Sequence, residues 1–199
     1  MATVFTPSIA TRPTYGTLQP PCGAPLLCVA DGAGGAALLA LSEHMPGCLE
    51  QAHILFIPQD SPDGPKLAAL PCRSYGEAPD LAAALPRLDR LLAQASIATR
   101  LCLAGSEGLI GRVSARALGA GIAAEMIQTE HRGHIARAVQ CVHCKGVTED
   151  VLTDPFICAH CGLALFVRDH FSRRLGVFQG VCVDAETPGQ RPDPQEIRP

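Results

Sequence analysis

Four cysteines, Cys141, Cys144, Cys158 and Cys161, form a C-x2-C-x13-C-x2-C array. Two residues between thiolates let one tight turn offer both sulfurs to a single ion. Two such turns joined by a short hairpin make a tetrahedral four-sulfur site, which suits zinc. Gly146 and Gly162, close behind each pair, are expected to let the turns aim amides at the sulfurs. Four thiolates fill the shell, whereas a catalytic zinc keeps one position open for water. The expected cofactor is therefore a structural Zn2+, and no catalytic residue is assigned. His143 and His160, inside the turns, are expected to be exposed loop residues. Iron in the same geometry would make a one-electron carrier, and two local disulfides or free thiols are the other competing reading. In a segment this small the ion is expected to supply most of the folding free energy, about 10 kcal/mol or more.

A second set of residues could hold a phosphate. ADGAGG (30–35) follows the apolar run LLCVA and precedes AALLALSEHM, which reads as strand, glycine turn and helix. Backbone amides at such a turn can cradle a dinucleotide phosphate. LAGSEG (103–108) is a similar turn after RLCLAGS (100–106), opening the helix EGLIGRVSARALGAG. HILFIP (53–58) and EMIQTEH (125–131) read as further strands, and LPCRSYG (70–76) as a short one. The stretch QDSPDGPK reads as turn-rich loop. Leucines at 81, 85, 88, 91 and 92 place an amphipathic helix over 79–95, with Pro86 as a kink point. Strands alternating with helices predict an α/β fold with a Rossmann-like parallel sheet covered on both faces.

These elements divide the chain into an extended segment (1–25), an α/β domain (26–131), a small zinc-ribbon domain (132–187) and a Pro-rich tail (188–199). Of 199 residues, 47% are hydrophobic, with no Trp, two Tyr and six Phe, so the core must be built largely from Ala, Leu, Val and Ile. Residues 1–130 hold eight Lys/Arg against eleven Asp/Glu, and residues 131–199 eight of each. Neither part has the positive excess of a nucleic-acid binder. The start shows no charged region followed by an apolar one, and no apolar run approaches the roughly 20 residues of a membrane span. A cytoplasmic, reducing location is expected. There, paired cysteines read as metal ligands before disulfides. Cys28 and Cys102, in apolar runs, read as small buried thiols.

The glycine turns resemble the nicotinamide-nucleotide lobe of the ferredoxin–NADP reductase family. Ala30, Gly32 and Gly34 match its first turn, Gly105 its second, and Ile127 with Glu130 its closing strand. Asp31 and Ala37 replace a glycine and a proline. Ala104, Ser106 and Leu109 stand where Cys, Pro and Met belong, and His131 replaces an aromatic. The resemblance implies Gly32, Gly34, Gly105 and Glu130 as cofactor-binding positions on a fold kept with its hydride chemistry lost. Only 25 residues precede the first strand, so no flavin lobe is expected in this chain.

Nearly the whole length, from about Tyr15 to about Gln195, is similar to a second family. TYGTL, VADG, LAGSE, EMIQTEH, HIARAVQCVHC, DPFICAHCG, VRDHFSRRL and VDAETPG look like the DmmA-type small subunit of bacterial dimethylamine monooxygenase. That resemblance implies a multicomponent oxidoreductase using NADPH and O2 to demethylate dimethylamine to methylamine and formaldehyde. Haem, FMN and 2Fe-2S would sit on partner subunits, namely a haem subunit and a flavin/iron–sulfur reductase. This chain would be accessory and not catalytic alone. Arg168, Asp169, His170, Arg173 and Arg174 are the expected docking patch, since Arg pairs with carboxylates and stacks on aromatics; a solvated turn is the competing reading. His131 and His134 are expected to be structural. Two alternatives stay open: a reductase binding NAD(P)H itself, or a zinc-ribbon nucleic-acid module.

Overall fold

The computed structural model describes residues 11–197. A first sheet is built from β1 (Leu26–Asp31), β2 (Ala52–Ile57), β3 (Ser74–Glu77), β4 (Arg100–Gly105) and β5 (Ile127–His131) in the order β3-β2-β1-β4-β5, all parallel. The helices are α1 (Gly34–His44), α2 (Gly64–Ala68), α3 (Leu81–Ala93) and α4 (Glu107–Gly119). Residues of β1 are buried on both faces, which is why the strand reads as an apolar run without alternation. Leu26, Cys28 and Ala30 pack with Leu38 and Leu41 of α1 and Leu67 of α2. Leu27 and Val29 pack on the other face with Leu88 of α3 and Ile110 and Val113 of α4. Cys28 and Cys102 are fully buried register partners in β1 and β4.

Most elements fall where the sequence puts them, and three differ. The expected loop at 59–66 gives way at its end to α2, with Pro65 in the first turn, where its missing N–H leaves no bond unmade. The third strand lies later than 70–76, at Ser74–Glu77. It is an edge strand of half-buried, mixed side chains that carries little apolar signal. The last strand starts after a 3-10 turn at Ala124–Met126. Pro86 lies inside α3 at an exposed position.

Residues beyond β5 build a second, smaller sheet: β6 (Arg137–Cys141), β7 (Val147–Val151), β9 (Phe156–Ile157), β10 (Ala164–Ser172) and β11 (Val177–Cys182) in the order β7-β6-β11-β10-β9. β6 and β11 run parallel and the other pairs antiparallel. β8 (Thr153–Asp154) pairs separately with β12 (Gln195–Glu196) in the tail. The core here is small: Val139, Val151, Phe156, Leu165 and Phe178 with Cys141 and Cys158.

The two sheets meet along α4. Gly111 of α4 and Gly176 of the β10–β11 turn approach so closely that a Cβ on Gly111 would lie 2.8 Å from the Gly176 carbonyl oxygen. Ahead of β1, residues 16–19 run along β5: Gly16 N–H donates to Thr129, and Leu18 N–H to the Glu130 carboxylate at 2.9 Å. Residues 1–10 of the expected extended segment lie outside the described residues. Among the described residues, no helix is long and apolar enough to cross a membrane.

Gly34 gives the fold a sharp test. A Cβ there would run into the Ala104 carbonyl and the Gly105 amide, both backbone, so nothing can swing aside. Gly34→Ala is expected to cost about 1–3 kcal/mol by overpacking, read as a lower denaturation midpoint. An unchanged midpoint would mean α1 does not sit against β4 this tightly.

Candidate functional site

The four cysteines converge. β6 ends at Cys141, the following turn carries Cys144, and Cys158 and Cys161 sit in the turn between β9 and β10. Their sulfurs all lie within 4.8 Å of one another. Cys141 Sγ is 3.9 Å from Cys161 Sγ, and Cys144 Sγ is 3.7 Å from Cys158 Sγ. A disulfide needs about 2.05 Å, whereas a tetrahedron of Zn–S bonds of about 2.3 Å sets its sulfurs about 3.8 Å apart. The quartet fits one four-coordinate ion with no position left over.

The turns repeat the same backbone device. Lys145 N–H donates to the Cys141 carbonyl, and Gly162 N–H to the Cys158 carbonyl, both at 3.0 Å. Lys145 and Gly162 both have positive φ, 62° and 73°. The left-handed residue of the first turn is thus Lys145, not Gly146. Gly146 serves otherwise: a Cβ there would meet the His160 ring at 2.5 Å. His160 packs over that glycine and its Nε2 reaches the Val147 carbonyl at 2.8 Å, while His143 is exposed. Burial opposes ionisation of Cys158. The backbone amides of Cys161 and His160, with the thiols of Cys161 and Cys144, outweigh it and bring the thiol down to about 6. At Cys161 the Leu163 amide fails to offset burial and the neighbouring thiols, which push that thiol up to about 12. A thiolate is the form that binds metal.

At the other candidate site, three of the sequence-predicted positions come together around Asp31. The crossover in strand order between β1 and β4 is where doubly wound folds take ligands. The Asp31 carboxylate, 5% exposed, fills that point. It accepts from Ser106 N–H at 2.7 Å and Ser106 Oγ–H at 2.5 Å, at the first turn of α4. Gly32, with φ of 44°, turns the chain out of β1, and Gly34 and Gly105 let the two strand ends close on the carboxylate. An anion favoured by the start of a helix is supplied by the protein itself. Glu130 lies elsewhere in the network: it accepts from Leu18 N–H and pairs with Arg132 Nε at 2.8 Å.

Burial raises the Asp31 carboxyl, and the Ser106 bonds only partly offset this. A carboxyl raised on folding stabilises the fold below its unfolded value, about 3.9, and loses that contribution as pH rises through the folded value. Asp31→Asn, which can still accept from Ser106 N–H, is expected to gain melting temperature relative to wild type progressively as pH rises above about 4. Parallel melts with an offset independent of pH would refute this.

Sequence reasoning missed a third cluster at the junction of the two sheets. Glu107 and Arg137, 4% exposed each, form an ion pair, with Arg137 Nε 2.9 Å from Glu107 Oε2. Tyr15 Oη donates to Glu107 Oε1 at 3.0 Å, and burial with the nearby Glu107 carboxylate holds the phenol well above its usual range. The Arg137 guanidinium lies 4.4 Å from the Phe178 ring centre and reaches Asp169 at 3.8 Å. A lone charge inside the apolar run IARAV was the available signal. His131 stacks on Tyr15 at 5.4 Å, its Nε2 3.3 Å from the His134 carbonyl, and His134 Nδ1 accepts from Ala136 N–H.

Residues 7–127 match the family described as dimethylamine monooxygenase subunit DmmA-like, N-terminal domain, and residues 138–181 its C-terminal domain. The chain is 37% identical over 107 residues to the heme-dependent oxidative N-demethylase delta subunit of Ectopseudomonas mendocina (strain ymp). That alignment covers 54% of this chain and 61% of the relative. No solved structure matches. With both domains matched in order across the two sheets, the chain belongs to the dimethylamine monooxygenase subunit DmmA-like family.

Proposed function

We propose that this chain is an accessory subunit of a haem-dependent monooxygenase that uses NADPH and O2 to convert dimethylamine to methylamine, formaldehyde and water. The reading is carried by the likeness to the delta subunit of a heme-dependent oxidative N-demethylase. Haem, FMN and 2Fe-2S belong to partner subunits. This chain contributes a structural Zn2+ held by Cys141, Cys144, Cys158 and Cys161 and a nucleotide-lobe-like sheet turned into scaffold. Two observations support a scaffold role. The sulfur quartet has no vacancy for a reactant, and the Asp31 carboxylate stands where a bound phosphate would be stabilised.

The test is purification of the tagged chain from cells grown on dimethylamine. One zinc per chain, no chromophore of its own, and a copurifying protein with haem absorbance are expected. Recovery of no haem protein would end the subunit reading. Micromolar NADPH binding by the isolated chain in calorimetry would favour the reductase alternative through Gly32, Gly34 and Gly105.

A further inference from the structure

The charge of this molecule is distributed against its total. The chain carries −3, yet the stretch 168–174 on β10 and its turn holds Arg168, His170, Arg173 and Arg174 against the single Asp169. All five are exposed. Asp169 is directed toward the buried Arg137 at 3.8 Å. Among the described residues, no carboxylate lies within ion-pair distance of Arg168, Arg173 or Arg174.

This segment is braced on several sides. The register of β10 against β11 shifts between Arg168 and Phe171, a bulge that re-aims side chains. Phe171 packs on Phe178 with ring centres 5.0 Å apart. Thr11 donates its hydroxyl to the Asp169 carbonyl at 2.8 Å and accepts from Phe171 N–H at 3.3 Å. Gly176 closes the turn against Gly111 of α4. The backbone that carries the arginines is fixed by contacts in which their own head groups take no part. Ordering cost on association is thereby reduced.

From this we propose that the basic segment 168–174, on β10 and its turn, is a preformed docking surface for a carboxylate-rich face of another subunit of the complex. The inference rests on the accessory-subunit reading and names the chemistry of its partner. Arg forks pair with carboxylates in two-pronged fashion and are enriched at interfaces. Such pairing steers encounter and fixes orientation more than it adds affinity. Nucleic acid is a poorer match, because a neutral second part and an acidic first part offer no extended basic track beyond this patch.

The experiment uses the tagged full chain and the haem protein that copurifies with it. Arg168→Glu/Arg173→Glu/Arg174→Glu is expected to weaken the complex at least about tenfold at about 0.1 M salt. Wild-type binding should fall toward the variant's at about 1 M, where the screening length shrinks from about 10 Å to about 3 Å. Unchanged zinc content and melting would show that the variant folds. A second variant, Arg173→Lys/Arg174→Lys, keeps the charge and supplies amines. Carbodiimide coupling should join these lysines to Asp or Glu of the haem protein or its reductase, identified by mass spectrometry. Equal retention of the haem protein by wild type and the charge-reversed variant overturns the inference and leaves the subunit reading standing. Absence of any haem protein with wild type defeats the reading itself. Cross-links only between copies of this chain, or tighter binding to a duplex DNA or anionic vesicle probe than to the haem protein, would also overturn the inference.

Discussion

Cys158→Ser, or chelation of the native chain, is expected to unfold the second sheet. Its core offers Val139, Val151, Phe156, Leu165 and Phe178 besides the cysteines. That is too little to hold β6 to β11 against chain entropy, and domains of this size commonly need a staple. Metal binding in comparable peptides supplies about 10–16 kcal/mol, comparable to the whole net stability of a typical domain, about 5–15 kcal/mol, so a sheet that loses its ion has little left to hold it. Hydrogen exchange should show protection vanishing over 137–182 while β1 and β4 remain slow. Metal analysis should show the ion gone. A variant that keeps full protection without metal would remove the structural role assigned to the sulfur quartet.

Breaking the Glu107–Arg137 pair should have the next largest effect. Both side chains are buried; among the described residues Arg137 Nη2 has no hydrogen-bond acceptor, and the guanidinium is held by Glu107, by Asp169 at 3.8 Å and by the Phe178 ring. Arg137→Met leaves a carboxylate buried without its cation, at a cost of about 3–5 kcal/mol. For a chain of this length that lowers the melting temperature by roughly 6–20 °C. Replacing both, Glu107→Leu with Arg137→Met, should recover most of the loss, because an apolar pair of similar volume is often as stable as a buried ion pair. Additive losses in the double variant would show that the two residues do not act as a pair.

The contrast between these sites explains what could be read in advance. The paired-cysteine turns were legible because their thiols are near neighbours in sequence and the spacing itself encodes the turn. The first sheet was legible because its central strands, buried on both faces, write themselves as LLCVA, HILFI and RLCLA. Glu107 and Arg137 are 30 residues apart, and Tyr15 is 92 from Glu107. Before the fold is known, Glu107 looks like any acid in a helix's first turn. Asp31 was visible as a departure from a glycine turn, but its bond to Ser106 spans 75 residues and needed the strand order to appear. The edge strand Ser74–Glu77 was misplaced because polar and apolar residues mix there. The pairing of β11 with β6 left no trace in the sequence, since a parallel neighbour carries no turn signal.

That pairing has a consequence for how the chain is made. The strands of the first sheet are all present once His131 has been synthesised. β6 lacks its inner neighbour until Cys182 has emerged, because β11 lies between β6 and β10. A nascent chain can therefore close its first sheet, about two thirds of its length, while β6 still waits for β11. The zinc proposed above would then be captured after the first sheet has closed, a step exposed to scarcity of metal in the growing cell.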